Sequence, residues 1–593
     1  MQWFLLYPLK IIVKTNQTAA FYDMPLKKTE VHLDLTNALA QELAKITQLD
    51  VSALLDTLET PPDAKMGDCA LPCFKLAKVM RKSPPQIANE ILKDFKAPDF
   101  ISEVKVEGGY LNFFYNRTFF VQNIINDCTS ENYGRSELGH GKTVLIDYSS
   151  VNIAKPFHIG HLSSTAIGSS LYKINQFLGY TVVGINHLGD WGTQFGKLIA
   201  AYKLWGDDEQ INKNSVSAML TLYVRFHEEA KKDESLNDIG RAWFKKIEDG
   251  DSEALRIFSW FSELTLKEAR RVYDLLDVQF DSYAGESFYN DKTAAIVEEL
   301  TQKHLLEKSE GAYVVHLDEE NLPPAIILKS DGTTLYATRD LAAAEYRKKT
   351  YDFYKCLYVV AYQQSLHFKQ LFAVLKKMGH TWADDMEHVA FGMVSLEDGT
   401  MSTREGKIVL LDDVLNQAVE KTLDVINQKN PNLENKEQIA SDIGIGAVIY
   451  STLSQSRIKD ITFSFDRVLN FDGETGPYVQ YTHTRCASVV QKHQPNNEGI
   501  DFDELTNDEA FAVLKIIEGF PQAIIAASEK NEPFFITRQI TELAQAFNKY
   551  YYDYRIIDDN IQKTNARILL AKAVKNVIKT GLRLLGIKAP ERM

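Results

Sequence analysis

Two histidines three residues apart, His158 and His161, flank a glycine, Gly160, at the start of a run with helical periodicity. In the first turn of a helix, side chains at that spacing share a face. The unpaired N–H groups and positive dipole end of such a turn attract an anion. Gly160 removes the side chain that would hold a nucleotide away from the backbone. Imidazoles placed there can donate to phosphate oxygens as charge builds up on them. Lys155 adds a cation three residues before His158. The residue types do not favour a zinc site, because the two histidines have no nearby cysteine or third ligand. Taken alone, the four-residue pattern would equally describe a helix start with two solvated histidines, so the surrounding elements must decide.

Those elements follow from periodicity. Residues 144–148 predict a strand, Ser149, Ser150 and Asn152 a turn, and Pro156 a first helical turn. The helix begins near His158 and continues through 167–178. A second strand at 181–186 runs into a turn with Gly189 and Gly192. Strand, helix and strand with glycine-rich turns is the doubly wound pattern, with ligands at the C-terminal ends of the strands. Residues 204–329 are acidic and mainly helical, which predicts an insertion, and strands resume at 325–328. A second strand-to-helix passage spans 331–340, and further strands are expected at 357–361 and 388–394. After Leu410 the chain turns helical, with spans at 443–456, 478–491, 508–528, 535–552 and 565–585. Upstream, residues 31–133 mix helices with strands at 104–106 and 110–114, and 67–72 reads as a turn. A glycine-bearing linker at 133–141 leads into the first strand.

Composition is that of a globular chain of 593 residues, 45% hydrophobic and 25% charged, enough for about four domains. Cys69, Cys73, Cys128, Cys356 and Cys486 form no Cys-x-x-Cys pair. They are expected to be reduced thiols of a cytoplasmic protein with no zinc and no metal held by protein ligands. The apolar stretch 3–13 is about half a membrane span and holds Pro8 and Lys10. No basic residues precede it, as a signal peptide would require. A net charge of −14 argues against indiscriminate binding to nucleic acid. The segment 541–593 is the exception, with ten Lys and Arg against five Asp and Glu. Its last helix predicts a core face of Leu570, Val574, Val577, Gly581 and Leu585 and a basic stripe of Lys572, Lys575, Lys579 and Arg583. The stripe is expected beside Tyr550, Tyr551, Tyr552 and Tyr554, and aromatic plus basic surface suits a single-stranded nucleic-acid loop.

Asn-Ile-Ala-Lys-Pro-Phe-His-Ile-Gly-His, residues 152–161, resembles the His-Ile-Gly-His signature of class I aminoacyl-tRNA synthetases, and its first half resembles the arginyl family. Tyr-Ala-Thr-Arg-Asp at 336–340, the segment 471–485 and the closing Pro-Glu-Arg-Met are similar to that family too. The loop 397–407 stands in the place of the Lys-Met-Ser-Lys-Ser loop but carries Thr400 and Thr403 instead of its lysines. That leaves Lys155, Arg404 and Lys407 as the cations available to a leaving pyrophosphate.

The resemblance implies a multidomain α/β protein with a Rossmann-like parallel-sheet catalytic domain at 139–203 and 325–415, interrupted by the insertion 204–324. An N-terminal tRNA-contacting domain would span 24–138 and an all-α anticodon-binding bundle 416–593, with 1–23 an extension of no readable function. It implies ATP-dependent attachment of arginine to tRNA through an arginyl-adenylate. Lys155, His158 and His161 would be catalytic. ATP would lie against Gly160, Gly392, Met393, Val394, Ser402, Thr403, Arg404 and Lys407. Arginine would meet Asp147, Ser150, Asn152, Tyr336, Asp340 and Gln364. Transfer RNA would meet Tyr478, Tyr481, Arg485, Tyr551, Arg555 and Met593. Mg2+ would arrive on ATP, the partners would be tRNA(Arg), L-arginine and ATP, and a monomer without membrane association is expected.

Overall fold

A computed structural model describes residues 35–153, 157–330, 332–396, 409–493 and 499–593. The apolar stretch 3–13 lies outside them. The elements that build the site are β1 (Thr143–Asp147), α1 (Leu162–Phe177), β2 (Thr181–Ile185), α2 (Tyr336–Tyr351), β3 (Lys355–Tyr358), α3 (Ser365–Lys377) and β4 (Met386–His388). The four strands are parallel in the order β4-β3-β1-β2. Leaving β1, the chain steps one way to β2 and later returns on the other side as β3. The reversal opens a crevice beyond the C-terminal ends of β1 and β3. β1 is apolar throughout its middle because both sheet faces are covered, and Val144, Leu145 and Ile146 are all buried.

From Ser163 to Ser170 α1 is Ser, Thr, Ala or Gly at every position but Ile167, and packing explains why. A Cβ on Gly168 would lie 2.3 Å from the Tyr148 ring, so the helix approaches the sheet closer than any larger residue allows. Its far side faces the C-terminal bundle: Ser170 Oγ donates to the Leu584 carbonyl at 3.0 Å, and Ser528 Oγ to Asn175 Oδ1 at 2.9 Å.

The bundle includes α4 (Leu411–Lys429), α5 (Lys436–Leu453), α6 (Gly476–Lys492), α7 (Phe534–Asp553) and α8 (Ile561–Leu584). Between α6 and α7 the expected single helix is two, Asp508–Glu518 and Phe520–Glu529. The break falls where Pro521 removes a backbone donor. The insertion contains the helices Asp208–Ala230, Ser235–Glu248 and Ser252–Leu275. The N-terminal part has a three-stranded antiparallel sheet, in which Cys69–Pro72, expected as a turn, is a strand against Tyr110–Tyr115.

Two strand expectations need correction. Ala325–Leu328 joins Glu307–Ser309 and Ala312–Val315 in a separate antiparallel sheet instead of the parallel one. Four apolar residues mark a buried strand but carry no information about which strand they join. Residues 388–394 are not one strand: β4 stops at His388, and Val394–Leu396 pairs with Ile461–Phe463.

Candidate active site

After Asp147 the chain turns sharply, and Ser149 and Ser150 both hold positive φ, 68° and 45°. L-residues adopt this region at a cost, so the surroundings must impose it. The Ser149 N–H donates to Ser164 Oγ at 2.9 Å, and Thr165 Oγ1 donates to Ser149 Oγ at 2.9 Å. Ser149 Oγ also lies 2.9 Å from the Tyr273 hydroxyl. The next residues run beside the loop after β2, where the Gly189 N–H donates to the Val151 carbonyl and the Ile153 N–H to the Gly189 carbonyl, each at 3.1 Å. A side chain at 189 would put its Cβ 2.2 Å from Asn152 Oδ1, so glycine there leaves room for the Asn152 amide.

The paired histidines sit on a single 3-10 turn, Ile159–His161, that leads into α1. His158 Nδ1 accepts the Gly160 N–H at 3.1 Å, and His161 Nδ1 accepts the His158 N–H at 3.2 Å. A ring nitrogen that accepts from the backbone carries no proton, so each neutral imidazole keeps its proton on Nε2 and is a donor there. The ring centroids are 4.0 Å apart, and His161 stacks on Phe157 at 5.2 Å. The turn is pinned by the chain entering α4: Ile159 N–H donates to the Val409 carbonyl and Leu411 N–H to that of Phe157.

The opposite wall is acidic. Asp340, just past the first turn of α2, places Oδ2 2.7 Å from His367 Nε2 and Oδ1 3.7 Å from His187 Nε2. Burial pushes its carboxyl up, but the hydrogen bond from His367, with His187 and Arg347 nearby, holds it below the usual carboxylate range. Tyr336 stands half exposed with its ring 4.7 Å from that of His367. Glu286 lies 3.2 Å from Arg339, and burial raises its carboxyl. Asp190 accepts from the Ser287 N–H at 2.8 Å and from its hydroxyl at 2.6 Å, which fixes the loop carrying Glu286.

Asp147 departs from expectation. Its side chain is 7% exposed and lies 2.8 Å from Arg347 Nη2, whose side chain is 1% exposed, and Ser150 Oγ donates to its other oxygen at 2.8 Å. A carboxylate closing a strand buried on both faces needs an internal counter-charge, and Arg347 supplies it from α2. Asp147 thus holds the protein's own guanidinium. Gln364 is exposed at the end of the turn Tyr362–Gln364. Gly392 and Met393 are tied to the later chain by N–H donation to the Arg457 carbonyl, 2.8 Å, and to Asp460 Oδ1, 2.7 Å. Val394 is a core residue. Lys155, Ser402, Thr403, Arg404 and Lys407 lie outside the described residues.

In the bundle, the Arg485 guanidinium lies between Tyr481 and Tyr551, 5.0 and 4.9 Å from the ring centroids, and donates to Asn548. Tyr552 is 90% exposed, Arg555 is exposed and Tyr478 half-buried. Tyr550 is core, stacked on Tyr554 at 4.9 Å, so it does not share in the surface expected of it. Leu570, Val574, Val577, Gly581 and Leu585 are buried as expected. Of the basic stripe, Arg583 lies over Phe177 of α1. Met593 packs against the cluster of Ile426, Ala440 and Ile443.

Family comparisons agree with this architecture. Residues 121–465 match the profile described as tRNA synthetases class I (R), catalytic domain. Residues 33–115 match the arginyl tRNA synthetase N terminal domain and 479–593 the DALR anticodon binding domain. The arginine–tRNA ligase of Alkaliphilus metalliredigens is 52% identical over 543 residues, 91% of this chain and 96% of its own length. That of Halothermothrix orenii is 52% identical over 562 residues, 94% and 99% of the two chains. The chain belongs to the arginine–tRNA ligase family. The Thermus thermophilus arginyl-tRNA synthetase structure has the same fold, with a TM-score of 0.80 at 24% identity over 94% of this chain and all of that one.

As a member of the arginine–tRNA ligase family, the chain surrounds Asp340 with residues that its motifs did not single out: His187, Glu286, His367, Arg339 and Arg347. Arg339 and Arg347 share α2 with Asp340, whereas His187, Glu286 and His367 come from three separate places that no spacing rule connects. One signal was available for His187 and Asp190, since both belong to the glycine-rich turn after β2, where ligands of a doubly wound sheet are found.

Proposed function

We propose that this chain attaches L-arginine to its cognate tRNA at the expense of ATP, and that the crevice beyond β1 and β3 is where arginine is activated. The arginine carboxylate attacks the α-phosphorus of ATP, pyrophosphate leaves, and the arginyl group then passes to the terminal ribose of the tRNA, releasing AMP. The Nε2–H groups of His158 and His161, with the N–H groups at the start of α1, donate to the phosphate oxygens as the pentavalent state forms. Lys155, Arg404 and Lys407 neutralise the departing pyrophosphate, and Mg2+ comes in on ATP. Asp340 anchors the guanidinium, with Tyr336 on its flank. Ser150, Asn152 and Gln364 take the amino and carboxylate ends. Tyr481, Arg485 and Tyr551 offer stacking and charge to an unpaired tRNA loop. The reading extends to a cytoplasmic monomer without zinc.

One observation carries the assignment: two Nε2 donors and a partly buried carboxylate stand at the same end of one parallel sheet. A cationic amino acid and a polyanion thus meet complementary charge within one crevice. Citrulline, which replaces the fork with a neutral urea, should be used on the order of 10⁴-fold less efficiently than arginine in aminoacylation, because it gives Asp340 no cation to face and one charge-assisted donor fewer. Canavanine, which keeps the fork, should remain within roughly tenfold. Comparable kcat/KM for citrulline and arginine would refute the role given to Asp340.

A further inference from the structure

His187 is a largely buried imidazole that nothing among the described residues satisfies. Its side chain is 15% exposed, and neither Nδ1 nor Nε2 has a hydrogen-bond partner among the described residues. The ring follows β2 and lies 5.6 Å from that of Tyr289. Its nearest charged neighbour is Asp340 on α2, at 3.7 Å, beyond a good hydrogen bond. Glu286 and Asp190 lie near it as well. A neutral imidazole offers one donor and one acceptor, and leaving both unused in a buried place costs free energy that a native structure seldom leaves unrecovered. The contrast with His367 is informative, since that ring bonds Asp340 Oδ2 at 2.7 Å. It leaves Oδ1 on the His187 side, and the Asp340 side chain is 23% exposed.

We infer that His187 is a specificity-determining residue whose unprotonated ring nitrogen accepts an N–H of the substrate guanidinium beside Asp340. The inference rests on the reading of Asp340 as the guanidinium anchor. Nε2 and Oδ1 are too far apart to bond each other well, yet near enough to receive neighbouring N–H groups of one planar fork. Such a pair of acceptors selects a fork over a compact ammonium or a urea, because only the fork brings adjacent N–H donors in a fixed plane.

The test is steady-state aminoacylation by the full chain at saturating ATP and tRNA, with arginine varied. His187→Phe keeps a ring against Tyr289 but has no acceptor. It should raise the arginine KM by roughly tenfold or more while kcat and the ATP KM stay within about threefold. His187→Asn restores an acceptor and should recover most of the loss. Thermal unfolding of each variant is the control, and His187→Ala replaces the Phe variant if that one does not fold. A folded Phe or Ala variant with an unchanged arginine KM overturns the inference. So does an equal rise in the arginine and ATP KM values, which would mark a merely structural ring. If the unmodified chain fails to charge tRNA with arginine, the underlying reading fails instead, whatever the variants do.

Discussion

Each imidazole of the His158–His161 pair has one nitrogen committed to the backbone, so its other nitrogen has a defined direction and a defined proton. In the proposed reaction the pair would act as fixed donors toward a phosphate, costing no reorganisation when charge develops. Substitution of either histidine by alanine should lower kcat for aminoacylation roughly 10²- to 10³-fold, with the arginine KM moved only a few-fold, as steady-state kinetics would measure. A loss confined to KM would mean that the histidines bind ground-state ATP. The two residues were legible from spacing alone. Their tautomer was not, because it depends on which backbone N–H each ring meets once the turn has formed.

Between elements, the informative contact lies away from the crevice. Glu299, on the helix Thr293–Gln302, and Glu345 on α2 converge on His380, whose Nε2 is 3.6 and 3.2 Å from their oxygens. Burial and then the neighbouring Glu299 push the Glu345 carboxyl up to about 7. Glu299 stays below the usual range, because Lys303 at 2.8 Å outweighs the effect of burial. A folded-state value above the ordinary 4.5 means that folding favours the protonated form of Glu345. Its contribution to stability is therefore complete below pH 4.5 and is lost as the pH rises through about 7. Glu345→Gln should raise Tm by about 2–4 °C at pH 8 and leave it nearly unchanged at pH 4.5, as differential scanning calorimetry would record. An equal shift at both pH values would show that ionisation is not the cause. Nothing in the local sequence marks this pair, since one partner lies in the insertion and the other in the second half of the sheet domain.

At the scale of the whole molecule, the N-terminal part is fastened to the bundle rather than tethered beside it. Arg117 donates to the Thr506 carbonyl at 2.7 Å and to Asp508 at 2.8 Å, and lies over the Phe511 ring. Phe120 meets Phe511 edge to face at 5.1 Å, with both rings buried. The bundle in turn packs on α1, so the helix that begins at the histidines touches the domain that carries Tyr481 and Tyr551. Phe120→Ala and Phe511→Ala should each cost about 3–5 kcal/mol in urea unfolding. Together they should cost less than the sum by about 0.5–1.5 kcal/mol, the edge-to-face term. Strict additivity would mean that the two rings do not meet in solution.

The signature turn, the doubly wound sheet and the helical C-terminal half were all determined locally, since periodicity and turn chemistry act over a few residues. The same is true of Asp340 and Tyr336, which share one helix start. Tertiary structure alone decided what each charge faces. Asp147 meets Arg347 because β1 and α2 are brought together across 200 residues of intervening chain. Tyr550 is core while Tyr552 is surface because α7 packs on one face only. Ala325–Leu328 joined a sheet that its own residues could not name. His187 shows the same division: its place in a glycine-rich turn was readable, but its lack of a partner is a property of the surrounding crevice. Hydrophobic pattern is written along the chain, whereas the partner of a buried polar group is set by whichever distant segment folding places beside it.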